Sequence, residues 1–292
     1  MLPSDKKDHA FNTLIYVLSV IFLILILIPL LFVLANSFSD YNLVFEGKVS
    51  LWPKNFSFEV YQVVLANPSI KRGFFNSILY TVIGTIISLA LTLSSAYVLA
   101  RKDFHSRHFF AILFLIPMFF SGGMIPTYLI VDRLNMINTI WGFIIPGCLS
   151  IWNVLVTRTF MVQSVPWELI EAAKLDGCDD FTLFFKIVLP LCIPIIAIMT
   201  LFYAVGYWNS YFNSLLYLTD PSLYPLQRIL SDIIISSDIS SMGTGGGLDS
   251  QGRMIEAIKY VTIVVSSAPI LLLYPLLGKY FEKGMLVGSL KE

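Results

Sequence analysis

Long apolar stretches free of Asp, Glu, Lys and Arg recur along this chain. Ala10–Ser39 is the first, with "LIYVLSVIFLILILIPLLFVLA" at its centre; Gly73–Ala100, Phe109–Val131, Leu134–Thr157, Ile187–Thr219 and Tyr260–Gly278 follow. A helix that crosses a bilayer needs about 20 such residues, because in lipid only a helix or a closed barrel satisfies its own backbone hydrogen bonds. The pattern predicts an all-α, polytopic membrane protein with six spanning helices. The third stretch is interrupted by Pro117, Gly122, Gly123 and Pro126, and Pro190 and Pro194 are expected to bend the approach to the fifth. Organisation follows from the spacing. Residues 1–75 hold the first helix and a first outer segment. Residues 76–292 form a five-helix core with a short polar loop at 162–190 and a longer outer segment at 211–258.

Composition agrees with that class. Of the 292 residues, 57% are hydrophobic and 13% charged, against about 25% charged in soluble domains. The mean hydropathy is +0.78. A net charge of zero gives no reason to expect a nucleic-acid partner. Cys148, Cys178 and Cys192 have neither metal-site spacing nor a disulfide framework, and they read as small packing residues. Lys6 and Lys7 precede the first stretch as they would in a signal peptide. That stretch is too long for an h-region of about 7–15 residues, and its small-residue site, Ala35-Asn36-Ser37, is weak. With both termini on the cytoplasmic side of the membrane, 11 of the 19 Lys and Arg residues lie inside, and the longer outer segments hold the rest. The positive-inside rule therefore favours this orientation, although Lys71-Arg72 runs against it.

No span centre carries an Asp, Glu, Lys, Arg or His, the groups that ion- and proton-coupled carriers place there. No repeat relates the first three spans to the last three, and no Walker motif is present. Gly243, Gly245, Gly246 and Gly247, in "SSMGTGGGLDSQGR", are followed by no Gly-Lys-Ser/Thr and read as a flexible tip of the outer segment. If the chain transports, another subunit must supply the energy. The spans do carry neutral polar residues. Asn76 and Ser77 open the second. Trp152 and Asn153 sit in the fourth, and Tyr203, Tyr207, Trp208, Asn209, Tyr211 and Asn213 cluster in the fifth. Aromatic faces beside amides suit an uncharged, hydroxyl-rich solute such as a sugar. The same residues also suit an interfacial belt with amides gluing helices together. The candidates for a substrate path are Trp152, Asn153, Tyr203, Tyr207, Trp208 and Asn209. A membrane enzyme finds little support: His9, His105 and His108 are the only histidines, and there is no HExxH, no carboxylate pair and no Cys–His pair within a span.

One segment stands apart. "ELIEAAKLDGCDDFTLFFKIVLPLCIP", Glu168 to Pro194, places acids between two apolar spans. Pro166 suits a first helical turn, with Ser164 as a possible cap, and "WELIEAAKL" is rich in helix formers. Leu169, Ala172 and Ala173 share one face; Glu168 and Glu171 share another. The helix should close at Asp176-Gly177, where glycine takes the left-handed conformation. A second helix should start near Asp179-Asp180 and run on into the fifth span. A helix lying on anionic lipid is rich in Lys and Arg. This one carries four carboxylates against one lysine between Glu168 and Asp179, which favours docking in a groove on a protein.

"EAAKLDG" followed by "KIVLPLCIP" resembles the EAA motif of ABC-importer permeases. Glu171, Ala172, Ala173, Asp176, Gly177, Ile187, Leu189, Pro190 and Pro194 fall on the pattern, and Cys178 stands where Ala is common. "FFNSILYTVIGTIISLALTLSSAYVLAR", "YWNSYFNSLLYL" and "YFEKGMLVGSLKE" extend the likeness to the maltose-type carbohydrate permeases over nearly the whole chain. Within them it resembles the MalG-like, six-span member of the pair, in the oligosaccharide (LplC/YtcP-type) branch. The resemblance implies a type I ABC importer permease fold with a cytoplasmic coupling helix. It implies a second homologous permease, two ATPase subunits that hold ATP and Mg, and an extracytoplasmic sugar-binding protein whose cleft receives the loop within 211–258. No cofactor is implied in this chain. Glu168, Glu171, Ala172, Ala173, Asp176 and Gly177 would couple to the ATPase, and Gly243 with Gly245–Gly247 would meet the binding protein. A permease for another neutral solute, or a stand-alone channel or secondary carrier, is the alternative.

Overall fold

The computed structural model describes residues 6–243 and 250–289, and no strand occurs among them. They fall into two compact units, Met1–Ile70 with Leu230–Ala268, and Lys71–Ile229 with Pro269–Glu292.

In the first unit, α1 (Lys6–Ser37) contains the first span, Phe11–Ser37. Every residue from Phe11 to Phe32 is exposed, as befits a helix that is apolar all round and needs a non-aqueous surrounding. The segment after it folds on itself. Asp40 caps α2 (Tyr41–Phe45) by accepting the Asn42 amide at 2.8 Å. Phe38 lies between Phe56 and Tyr61, with ring centroids at 5.3 and 5.1 Å, and Val60 and Val64 of α3 (Glu59–Ala66) are buried. The amides of Asp40 and Ser57 donate to the carbonyls of Lys54 and Phe38, closing the loop. The outer segment expected from the sequence is thus a folded element.

The second unit is organised on α4 (Pro68–Ala100), the second span. The next three spans are each two helices. α5 (Arg107–Phe119) meets α6 (Met124–Arg133) at 112°. Gly123 opens α6 at φ +85, a conformation that glycine adopts without strain. α7 (Ile140–Ile144), continued to Gly147, meets α8 (Ile151–Ser164) at 54°. After α9 (Trp167–Leu175), α10 (Asp180–Thr182) winds through a π-helical stretch, Leu183–Val188, into α11 (Leu189–Leu191). This piece meets α12 (Ile193–Trp208) at 83°. Pro190 and Pro194 flank the break, as their missing amides predict. With each bent pair counted as one span and the last span at Arg253–Leu272, the six expected spans are present.

α13 (Tyr211–Tyr217) and α14 (Leu226–Gly243) turn most of the segment expected as an outer loop into helix. The reason is local: no Gly or Pro occurs between Leu226 and Met242, and Pro225 precedes the run. Gly243 ends α14, while Gly245, Gly246 and Gly247 lie outside the described residues. α15 (Ser250–Ser289) carries the last span and most of the C-terminal sequence.

The core of the second unit brings Leu93, Ala96 and Leu99 of α4 against Phe143, Ile144, Val154, Met161, Leu183, Val188 and Met199. In lipid such contacts gain little from apolar burial; close packing and hydrogen bonds hold them. Small residues make close packing possible. Ala96 is fully buried, and a Cβ at Gly84 would meet the Tyr207 ring at 2.7 Å.

Candidate functional site

α9 is a nine-residue helix with one face turned inward and one left open. Ile170 and Ala173 are buried; Glu168, Leu169, Glu171, Ala172 and Asp176 are exposed, and Leu175 is 90% exposed. Its end is a complete Schellman motif. The Cys178 amide donates to the Ala173 carbonyl at 2.9 Å and the Gly177 amide to Lys174 at 3.0 Å, with Gly177 at φ +81. A Cβ at Gly177 would meet nothing within 4 Å, so glycine is needed there for its backbone and not for space. The next helix begins as the acids predict: the Asp179 carboxylate accepts the amides of Phe181 and Thr182 at 3.1 and 3.2 Å. The beginning of α9 differs from expectation. Ser164 is the last residue of α8, not a cap, and Pro166 is itself the N-cap, with no side chain capping the turn. Proline pushes the residue before it out of the helical region, and Val165, at φ −111 and ψ 101, breaks the chain there.

Of the coupling candidates, Glu171 already has a neighbour: its carboxylate accepts the Trp167 indole N–H at 2.6 Å. Glu168, Ala172 and Asp176 stay open on the exposed side. A charged cluster, not anticipated from the sequence, lies beside them. Arg101, just past α4, pairs with Asp103 and Asp180, and Lys174 of α9 pairs with Asp103 at 2.6 Å. Hydrogen bonds from Arg101, ahead of those from Lys174, hold the Asp103 carboxyl far below the ordinary carboxylate range, and the Arg101 guanidinium is correspondingly raised. A cavity of about 140 Å³ separates α9 from the end of α4, lined by Tyr97, Arg101, Trp167 and Ile170 among others. The one hint in the sequence was the run Arg101-Lys102-Asp103 directly after a span.

The substrate-path candidates separate into groups. Tyr203 and Tyr207 are buried side by side on α12 and turn their hydroxyls toward α4. Thr92 Oγ1 lies 2.6 Å from the Tyr203 hydroxyl and Ser88 Oγ 2.9 Å from that of Tyr207. The Tyr203 oxygen also accepts the Ser150 amide, and Tyr207 donates to the Ile144 carbonyl, both at 3.3 Å. These hydroxyls bind three spans of one subunit together. Trp208 is buried edge-on to Phe74 at 5.8 Å, and Asn153 is buried in α8. Trp152 (60% exposed) and Asn209 face outward, the latter accepting from Gln227 at 3.3 Å. Among the described residues no group of three or more His, Cys, Asp or Glu could hold a metal.

The family model described as "Binding-protein-dependent transport system inner membrane component" matches residues 101–287. The chain is 40% identical to the polygalacturonan/rhamnogalacturonan transport system permease protein YtcP of Bacillus subtilis (strain 168), covering 98% of this chain and 99% of that one. It is 39% identical to Protein LplC of the same organism, covering 91% and 89%. Among solved structures it is similar to a chain of a bacterial ABC transporter involved in the import of the acidic polysaccharide alginate. The TM-score there is 0.84 and the identity 28%, over 95% of this chain and 98% of that one.

Proposed function

This chain belongs to the family of binding-protein-dependent transport system inner membrane components, and from that premise we propose that it builds, with a second homologous permease, the path for an oligosaccharide handed over by an extracytoplasmic binding protein. It is a permease subunit of an ABC importer, with the all-α type I permease fold. Two ATPase subunits hold ATP and Mg and drive the cycle. Each receives one coupling helix, which here is α9. ATP binding draws the two coupling helices together and the spans rock open outward; hydrolysis resets them. Both termini lie in the cytoplasm. The observation that carries the reading is α9 itself. It is a short helix with Ile170 and Ala173 anchored on the core, Glu168, Glu171 and Ala172 exposed, and a turn closed by backbone hydrogen bonds leading to span five.

The cargo class rests on the sugar transporters among the relatives. The spans hold no ionisable centre, which suits recognition through hydroxyls. An alginate importer nonetheless shares the fold, so acidic sugars belong in the candidate set. Of the path candidates, Trp152 and Asn209 have the exposure a path-lining residue needs, while Tyr203 and Tyr207 support the wall from behind.

The test uses the assembled importer in proteoliposomes. Gly177→Pro should leave the subunit inserted and the ATPases attached, but separate ATP hydrolysis from delivery of oligosaccharide. Coupled uptake at the wild-type level in that variant overturns the assignment of α9. Supplying neutral and uronic-acid oligosaccharides alongside amino acids tests the cargo: uptake of an amino acid and of no sugar rejects the oligosaccharide class.

A further inference from the structure

The end of α4 is a single fixed point to which both sides of the Gly177 turn are tied. The Arg101 side chain is only 9% exposed. Its Nε and Nη2 fork onto the two carboxylate oxygens of Asp103 at 2.7 and 2.5 Å, and its Nη1 reaches Asp180 Oδ1 at 2.8 Å and the Tyr97 hydroxyl at 2.6 Å. Asp103 Oδ2 accepts a further hydrogen bond from Lys174 Nζ at 2.6 Å. Lys174 lies in the last turn of α9, before Gly177, and Asp180 opens α10, after it. Two more contacts reinforce the junction. The Lys102 ammonium sits 5.7 Å from the ring centre of Trp167, the first residue of α9, and Arg158 of α8 donates to the Leu99 carbonyl at 3.0 Å.

Physical reasoning gives this arrangement a mechanical role. A glycine turn held by backbone hydrogen bonds alone, with no side chain packed against it, can act as a pivot, and a push on α9 alone could be absorbed there. Ties on both sides of the pivot, Asp180 to the Arg101 guanidinium and Lys174 to the Asp103 carboxylate which that guanidinium holds, remove that freedom. An arginine fork fixes direction as well as distance, which a lysine at the same place would not. The pairs formed by Lys174 and Asp180 are partly exposed and individually weak. Stability alone is therefore a poor account of why they converge on a buried arginine.

We infer that Arg101 and Asp103 are positioning residues that clamp α9 and its turn to the end of α4, so that movement imposed on α9 is carried into span two as well as span five. This rests on α9 being the ATPase-coupling helix. The experiment is a distance measurement between spin labels at Leu175→Cys on α9 and Ser94→Cys on α4, both exposed positions. It uses the complete importer in nanodiscs on a background lacking the native cysteines, free of nucleotide and trapped with Mg-ATP and vanadate. The clamp predicts one narrow distance distribution in both states. In Arg101→Lys, which keeps the charge and loses the fork, and in Asp103→Asn, which loses the carboxylate that Arg101 and Lys174 share, that distribution should broaden about twofold in the trapped state. Lys174→Gln removes one tie without touching the buried guanidinium, and should broaden it less. An unchanged width and mean in these variants overturns the clamp, and if the Arg101 variant does not assemble, Lys174→Gln decides alone. Reversing the two exposed acids, Glu168→Lys with Glu171→Lys, asks the separate question. ATPase subunits that still co-purify with that variant reject α9 as the docking helix, whatever the labels report.

Discussion

Two polar sites lie along the same helix, α4, and they are built from different chemistry. Near its middle, Ser88 and Thr92 meet the hydroxyls of Tyr207 and Tyr203, with every group neutral and buried. Just past its end, Arg101 gathers Asp103 and Asp180, and Lys174 joins through Asp103. Depth explains the contrast. In hydrocarbon a charge costs several kcal/mol or more even when water can be drawn toward it, whereas a hydroxyl pair loses little and gains direction. At the membrane face the carboxylates keep water on their outer sides, so ions are affordable and their long side chains can span the gap between helices. The inner site fixes spans relative to each other, and the outer one links those spans to the short helix α9.

The comparison can be broken first at the inner site. Gly84→Val would drive a branched side chain into the Tyr207 ring, and overpacking of this kind costs about 1–3 kcal/mol. Thermal unfolding of the purified subunit in detergent should show the largest fall of this series, partly restored by Tyr207→Leu. The outer site comes next. Arg101→Ala leaves Asp180 without its partner and Asp103 with Lys174 alone, at a cost of about 2 kcal/mol. That is less than for a fully buried pair, because the Asp180 side chain is 66% exposed.

This second change also carries a pH signature. The folded-state pKa of Asp103 lies well below its ordinary 3.8, so its stabilising contribution is present above that value and lost as pH falls toward the depressed one. The stability gap between wild type and Arg101→Ala should be flat from about pH 7 to 5 and narrow only on acidification below about 4. Tyr207→Phe, which deprives buried Ser88 of its partner, should cost about 1 kcal/mol with no such acid dependence. A double-mutant cycle with Ser88→Ala would isolate the pair. The smallest effect belongs to Lys174→Gln, about 0.5 kcal/mol or less in thermal unfolding. A change that small in stability, beside a measurable loosening of α9, would separate mechanical linkage from mere stabilisation.

Much of this was legible in the chain because it depends on near neighbours. Span lengths, the prolines at the break before α12, the closure of α9 at Gly177 and the cap at Asp179 all follow from residues within a turn or two of the feature. Ser164 shows where neighbour reasoning can mislead. A good capping residue was outranked by Pro166, which dictates the conformation of Val165 between them. The segment at 211–258 was expected as an outer loop between the fifth and sixth spans, although the run from Leu226 to Met242 contains neither glycine nor proline. Tyr203 and Tyr207 were picked out as a polar aromatic pair, but the side to which they turn their hydroxyls was not readable, since it depends on where α4 lies.

The sequence by itself determined a six-span membrane chain with a short acidic helix ahead of its fifth span. Lipid thickness sets the length of each apolar run, and helix-ending rules act within a few residues. Only the tertiary structure decided that Arg101 and Asp180, 79 positions apart, share one ion pair, and that Tyr207 reaches Ser88 across 119. Such pairings depend on the bends within spans three, four and five and on how closely small residues let the helices approach. Those are properties of packed surfaces, and no stretch of sequence taken alone contains them.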